Sequence, residues 1–157
     1  MEDYFNKMLN LAHRKLKVLQ DIMDITNEIR DCLDVNNYEL LNKLIEKKQK
    51  SIVDIEKIDL EFVPLYNRFK KQNKIDSIFD LENKNVSIDM KKLKGLIIDI
   101  KSVLDKIKEQ DDKNLKKMQE SLDKVETKIE EFSKNKNAYM EYMKYYTPDS
   151  YFIDKLK

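Results

Sequence analysis

Glycine occurs once in this chain of 157 residues, and proline twice, at Pro64 and Pro148. Tight turns between strands draw on residues that accept a positive φ or preset a bend, so a sheet of several hairpins is hard to build from this sequence. Long helices joined by a few short loops need neither residue. The apolar positions agree with helices. Phe5, Met8, Ala12, Leu16, Leu19, Met23, Ile29 and Leu33 fall mostly three or four apart, on one face of a helix. Leu41, Leu44, Lys48, Ile52, Ile55, Phe62, Leu65 and Phe69 form a second such series. A third begins with Leu93, Leu96, Ile97, Ile100, Leu104 and Ile107, passes through a polar stretch, and resumes at Leu115 and Met118. From Met118 through Leu122, Val125, Ile129 and Phe132 the steps alternate between four and three, as along a coiled-coil seam.

These patterns predict an all-α, elongated antiparallel helical hairpin or bundle. Its helices should cover about residues 3–34, 37–72 and 87–143, with a long third helix and a mobile C-terminal tail. A domain over residues 1–146 and a flexible tail over 147–157 follow from the helix-ending Thr147-Pro148. Asn36 is placed to cap the second helix, with Glu39 three residues on as in a capping box. Pro64 lies inside the second pattern. It removes a backbone hydrogen bond and crowds the preceding turn, at a cost of about 3 kcal/mol, so a kink or break is expected between Leu60 and Val63. Asp76 or Ser77 can start a short helical turn that buries Ile78, Phe79 and Leu81, and Ser87 suits the cap of the third helix. A helix running unbroken from Ser87 to Met143 would be roughly 85 Å long, against roughly 45–55 Å for the first two. The third helix therefore either breaks near Asp111-Asp112 or overhangs the hairpin, and an overhanging apolar stripe calls for a partner.

Charged residues make up 39% of the chain, yet Lys+Arg is 31 against Asp+Glu 30, so the net charge is only +1. Such a balance supplies no field to draw the chain to nucleic acid or to an acidic membrane. Lysine pairs such as Lys47-Lys48, Lys70-Lys71 and Lys116-Lys117 alternate with acids and read as solvated faces. No apolar run approaches the ~20 residues that span a bilayer, and the acidic start Met1-Glu2-Asp3-Tyr4 leads into no signal-peptide core, so a cytoplasmic chain without membrane insertion is expected. Cys32, the single cysteine, has no partner for an intrachain disulfide and reads as a small buried or half-buried hydrophobe.

The inventory for chemistry is thin. His13 is the only histidine and reads as a surface residue beside Arg14 and Lys15. No Glu-x-x-His pair exists for a four-helix metal site, and Asp111-Asp112 lacks the glycine and spacing of a calcium loop, so both aspartates read as solvent-facing. Gly95 stands alone, which excludes a phosphate-cradling loop and leaves a close helix–helix contact as its reading. No catalytic residue, metal ligand or cofactor site is expected, and the chain reads as a protein-binding molecule rather than an enzyme.

Five of the eight tyrosines lie in the last twenty residues, where Tyr139, Met140, Tyr142, Met143, Tyr145, Tyr146, Tyr151, Phe152 and Ile153 accumulate. Tyrosine buries a large area with few rotors and methionine adapts to irregular pockets, a composition suited to gripping a partner.

The run Asn37-Tyr38-Glu39-Leu40-Leu41-Asn42-Lys43-Leu44-Ile45-Glu46-Lys47-Lys48-Gln49-Lys50-Ser51-Ile52 resembles the central signature of the FlgN-like flagellar export chaperones, with Leu41, Leu44, Lys48, Ile52 and Ile55 at matching places. The ending Tyr151-Phe152-Ile153-Asp154-Lys155 is similar to the close of some members. The resemblance implies a cytoplasmic chaperone of the flagellar type III export system, which binds hook–filament junction proteins (FlgK- and FlgL-like) and delivers them to the export gate. It places cargo binding in the C-terminal region, here roughly Val125 to Tyr146, and the apolar stripe Met118, Leu122, Val125, Ile129 and Phe132, with Tyr139 and Met143, is the expected contact surface. It offers Tyr142, Tyr145 and Tyr146 as residues that dock at the gate. Two alternatives stay open: a self-associating coiled-coil protein, with a homodimer as its simplest form, and a FliT-like helical export chaperone.

Overall fold

The computed structural model describes residues 2–81 and 86–124 and the single positions 137 and 140. Among the described residues the chain is all-α: α1 spans Glu2–Asp34, α2 spans Tyr38–Asn73 and α3 spans Ile88–Lys124, with one 3-10 turn at Ile78–Asp80. α1 packs along both other helices. The short link to α2 forces these helices antiparallel, so the end of α2 and the start of α3 both return to the beginning of α1.

The α1–α2 turn is built by asparagines. Asn36 takes the left-handed conformation at φ 56. The Asn37 amide then donates to Cys32 O at 2.9 Å and the Asn36 amide to Leu33 O, a Schellman closure of α1. Asn37, not Asn36, caps α2: its side chain accepts from the Leu40 amide at 3.2 Å. The third helical position is then Leu40, so Glu39 closes no capping box, and its charge simply suits the first turn. α2 ends in the same geometry, with Lys74 at φ 52 and the Ile75 amide donating to Lys70 O.

Pro64 does not break α2, which is continuous from Tyr38 to Asn73. The proline is exposed, while its neighbours Phe62, Val63, Tyr66 and Phe69 are buried. Burial of that aromatic stripe outweighs one lost bond, and the orphaned carbonyl belongs to Leu60, on the outward face where water can reach it.

The connection to α3 is pinned by Tyr66, whose hydroxyl accepts from the Ile78 amide at 2.9 Å. Burial pushes the Tyr66 phenol above its usual range, and the bond from Ile78 opposes that. Ser77 and Asp80 form a capping box around the 3-10 turn. Ile78 is fully buried, whereas Phe79, expected inside, is 42% exposed. Ser87 caps α3 through the Met90 amide. Gly95 makes no close helix contact: a Cβ there would meet nothing within 4 Å.

Candidate partner-binding site

The interior of the bundle is divided. The larger apolar cluster joins Met8 to Ile22 of α1, Ile52 to Phe69 of α2 and Leu93 to Ile107 of α3. A smaller cluster fills the other end, around the α1–α2 turn. It contains Ile25, Ile29, Cys32 and Leu33 of α1, Leu41, Leu44 and Ile45 of α2, and Met118 of α3. Tyr38, Leu115 and Leu122 pack at its edge.

Between the clusters lies a polar layer. The Lys48 ammonium of α2 pairs with the Asp111 carboxylate of α3, both side chains all but inaccessible to solvent. One turn on, the Asn114 amide donates to Thr26 O of α1 at 3.0 Å and accepts from Gln110 at 2.8 Å. Thr26 is itself buried, its hydroxyl donating to Ile22 O. The helix therefore does not break at Asp111-Asp112. Asp111 is 0% exposed, contrary to the solvent-facing reading, because it stands at the inward position between Ile107 and Met118. Lys48 is likewise no solvated residue.

A second buried pair lies within the larger cluster, where Lys15 Nζ of α1 reaches Asp59 Oδ1 of α2 at 2.7 Å. His13 and Arg14 are exposed while Lys15 is buried, so the polar face inferred for this stretch holds for the first two and fails at Lys15. Burial sets the acid–base behaviour of both pairs. It lowers Lys15 to about 7, with the Asp59 charge and hydrogen bond opposing. It lowers Lys48 to about 8 against the pull of Asp111. Asp59 is raised for the same reason, with Lys15 opposing. These groups neutralise one another across helices. Among the described residues no three His, Cys, Asp or Glu side chains gather as metal ligands would.

Met118, the first residue of the expected cargo stripe, is completely buried in the smaller cluster and belongs to the bundle core. Leu122 is half-buried at the edge of that cluster. Val125, Ile129, Phe132, Tyr139, Tyr142, Met143, Tyr145 and Tyr146, and the tail over 147–157, lie outside the described residues. The structure adds an apolar rim at the hairpin turn, where Val35 is 72% and Leu40 43% exposed beside half-buried Tyr38. Sequence spacing missed Val35, which belongs to no helical stripe.

α3 runs parallel to α1, and the Asn114–Thr26 bond fixes their offset at 88 residues. Carried along the helices, that offset brings Lys124 level with the Val35–Asn37 turn. No helix among the described residues is long and apolar enough to cross a membrane.

The chain matches the family model described as FlgN protein over residues 1–149. No curated protein and no solved structure gives a match.

Proposed function

The chain belongs to the FlgN family, a family of flagellar export chaperones, and we propose that it acts in the cytoplasm, holding hook–filament junction proteins (FlgK- and FlgL-like) and delivering them to the type III export gate. What supports this reading is the family match together with an apolar stripe that runs on in sequence past Lys124, the residue level with the hairpin turn. The stripe continues through Val125, Ile129 and Phe132. A stripe of that spacing suits an amphipathic helix of a cargo subunit, in a helix-on-helix arrangement. Leu122, Val125, Ile129, Phe132, Tyr139 and Met143 form the proposed cargo-contacting set. Met118 would contribute by holding the base of the stripe to the hairpin. Tyr142, Tyr145 and Tyr146 are proposed to meet the gate, where exposed aromatics give contact area at low entropic cost.

The test is calorimetric titration of purified hook–filament junction subunit into the wild type and into the double variant Ile129→Ala/Phe132→Ala. Affinity should drop by roughly tenfold or more, since two large contact residues at a hot spot typically carry over 1 kcal/mol each. Helicity and urea midpoint should be retained. An unchanged affinity counts against the assignment. The same stripe could instead pair two copies of this chain, and sedimentation of the wild type across a concentration series separates the readings. A dimer abolished by the double variant, with cargo affinity intact, favours self-association.

A further inference from the structure

Among the described residues, α3 is held to the hairpin differently before and after the polar layer. Ahead of Asp111 the helix buries Leu93, Leu96, Ile97, Ile100, Leu104 and Ile107. After Asn114 the described part buries one apolar side chain completely, Met118, with Leu115 and Leu122 only half covered. The hairpin surface beneath that later stretch is nonetheless as apolar as the rest. Ile25, Ile29 and Leu33 of α1 and Leu41, Leu44 and Ile45 of α2 form a complete groove. The polar layer separates this groove from the larger cluster. Its Lys48–Asp111 pair and Asn114–Thr26 bond can hold α3 in register while the turns beyond them lift away. Segments with few buried apolar contacts open at free energies well below global unfolding.

We propose that the turns of α3 from Leu115 to Lys124 are a displaceable cover, and that the α1–α2 groove beneath them receives an amphipathic helix of a partner protein. The present occupant defines the chemistry of its replacement. Leu115, Met118 and Leu122 fill the groove at steps of three and four, so the incoming helix carries apolar residues at the same steps. It need bring no buried charge, because Asp111 stays behind to satisfy Lys48. The identification of that partner as an export subunit rests on the function proposed above, but the cover and groove do not.

Cys32 gives the experiment a built-in reporter, being the chain's single cysteine, 5% exposed, and part of the covered cluster. Its reaction with an aromatic disulfide reagent is followed on the full-length chain from zero urea to just below the unfolding transition. A displaceable cover predicts labelling with a weak urea dependence, faster by roughly tenfold or more in Met118→Ala and unaffected by Ile100→Ala in the larger cluster. Leu122→Ala, a smaller change at the edge, provides the same comparison if Met118→Ala loses helicity. Labelling that follows the full urea dependence of global unfolding, and that Ile100→Ala accelerates as much as Met118→Ala, overturns the cover. The groove is then tested by adding a synthetic peptide spanning Lys108–Lys124 to Met118→Ala. Slower labelling with the native peptide, and none of this protection from a peptide carrying Met118→Asp, supports a helix receptor. Equal rates with and without the native peptide overturn it. Protection that instead grows with the chain's own concentration assigns the groove to a second copy and overturns the partner helix. Since no flagellar subunit enters these measurements, their failure is distinct from a failure of the chaperone reading.

Discussion

The two ends of the bundle are made from the same kinds of residue but are fastened differently. The end where α1 begins has three helices sharing one continuous core, an aromatic run with Phe62 stacked on Tyr66 at 5.6 Å and Tyr66 on Phe69 at 6.2 Å, and the Lys15–Asp59 pair inside it. The end at the α1–α2 turn is a groove of two helices, closed among the described residues by Met118 of α3 with Leu115 and Leu122 at its edge. A helix can therefore be continuous in hydrogen bonding and discontinuous in tertiary attachment. The lesson concerns α3: its backbone passes through the polar layer without a break, while its grip on the hairpin changes there.

The largest effect should come from the boundary itself. Asp111→Ala leaves the Lys48 ammonium buried without its carboxylate, and breaking a buried pair from one side costs about 3–5 kcal/mol. The lowered pKa of Lys48 lets it shed its proton and softens that cost at alkaline pH. Replacing both, as Lys48→Met with Asp111→Leu, should be neutral or stabilising, because the desolvation penalty disappears with the charges. Urea melts of the three chains decide it. A double variant as unstable as the single one would mean that the layer is needed for more than charge balance, and would weaken its role as a mere divider.

Next in size is the contrast between the clusters. Ile100→Ala in the larger core should lower global stability by about 2–5 kcal/mol. Met118→Ala removes a side chain equally buried, but its cost is capped by the free energy of lifting the turns from Leu115 to Lys124. Once the cover is weaker than that limit, the open form becomes the ground state. The urea midpoint should thus fall less for Met118→Ala than for Ile100→Ala. Equal falls would erase the distinction between the two ends.

Alkaline pH gives a smaller effect with a definite sign. In the folded chain Lys48 releases its proton at about 8 and Lys15 at about 7, whereas unfolded lysines hold theirs to about 10.4. Between those values the unfolded chain binds more protons, so stability rises with pH, by no more than about 1.4 kcal/mol per pH unit for each lysine. Wild type minus the Lys48→Met/Asp111→Leu chain isolates the Lys48 share. That difference should shift in favour of the wild type from pH 8 to pH 10, read as urea midpoints. A flat difference would show that Lys48 keeps an ordinary affinity for its proton.

The sequence made the helices legible because their apolar spacing is strong and Gly and Pro are scarce. It was less informative wherever a neighbour across the bundle decides the outcome. Asp111 is acidic and sits in a polar stretch, so local composition puts it in water, but its position four after Ile107 and seven before Met118 puts it inside. Lys48 held an inward place in the second stripe, and Lys15 falls four before Leu19. Charges of opposite sign at inward positions of different helices were the available signal, and only a known register turns them into pairs. Pro64 misled for the same reason, since its penalty is local and the compensation from Phe62 and Tyr66 is tertiary. The family was readable from the run around Leu41 to Ile55, which is hairpin. Most of the proposed cargo surface lies outside the described residues, so for that surface the sequence pattern is the argument.

The smallest effect compares the turns that close the two ends. Asn36 and Lys74 both stand at positive φ, each completing a Schellman motif. Asparagine tolerates that region, because its short polar side chain suits it, and here the Asn36 Oδ1 also accepts from the Tyr38 hydroxyl at 3.2 Å. Lysine has no such compensation, and its Cβ meets the steric penalty in full. Lys74→Gly should therefore stabilise the chain, by about 0.5–1 kcal/mol once the extra backbone entropy of glycine in the unfolded state is set against the relieved strain. Asn36→Gly should gain less or lose slightly, because it also removes the Tyr38 bond. Thermal melts of the two variants read the difference directly. Should Asn36→Gly stabilise as much as Lys74→Gly, the turn beside the small cluster would be as strained as the one beside the large cluster. The looseness of that end could then no longer be assigned to α3 alone.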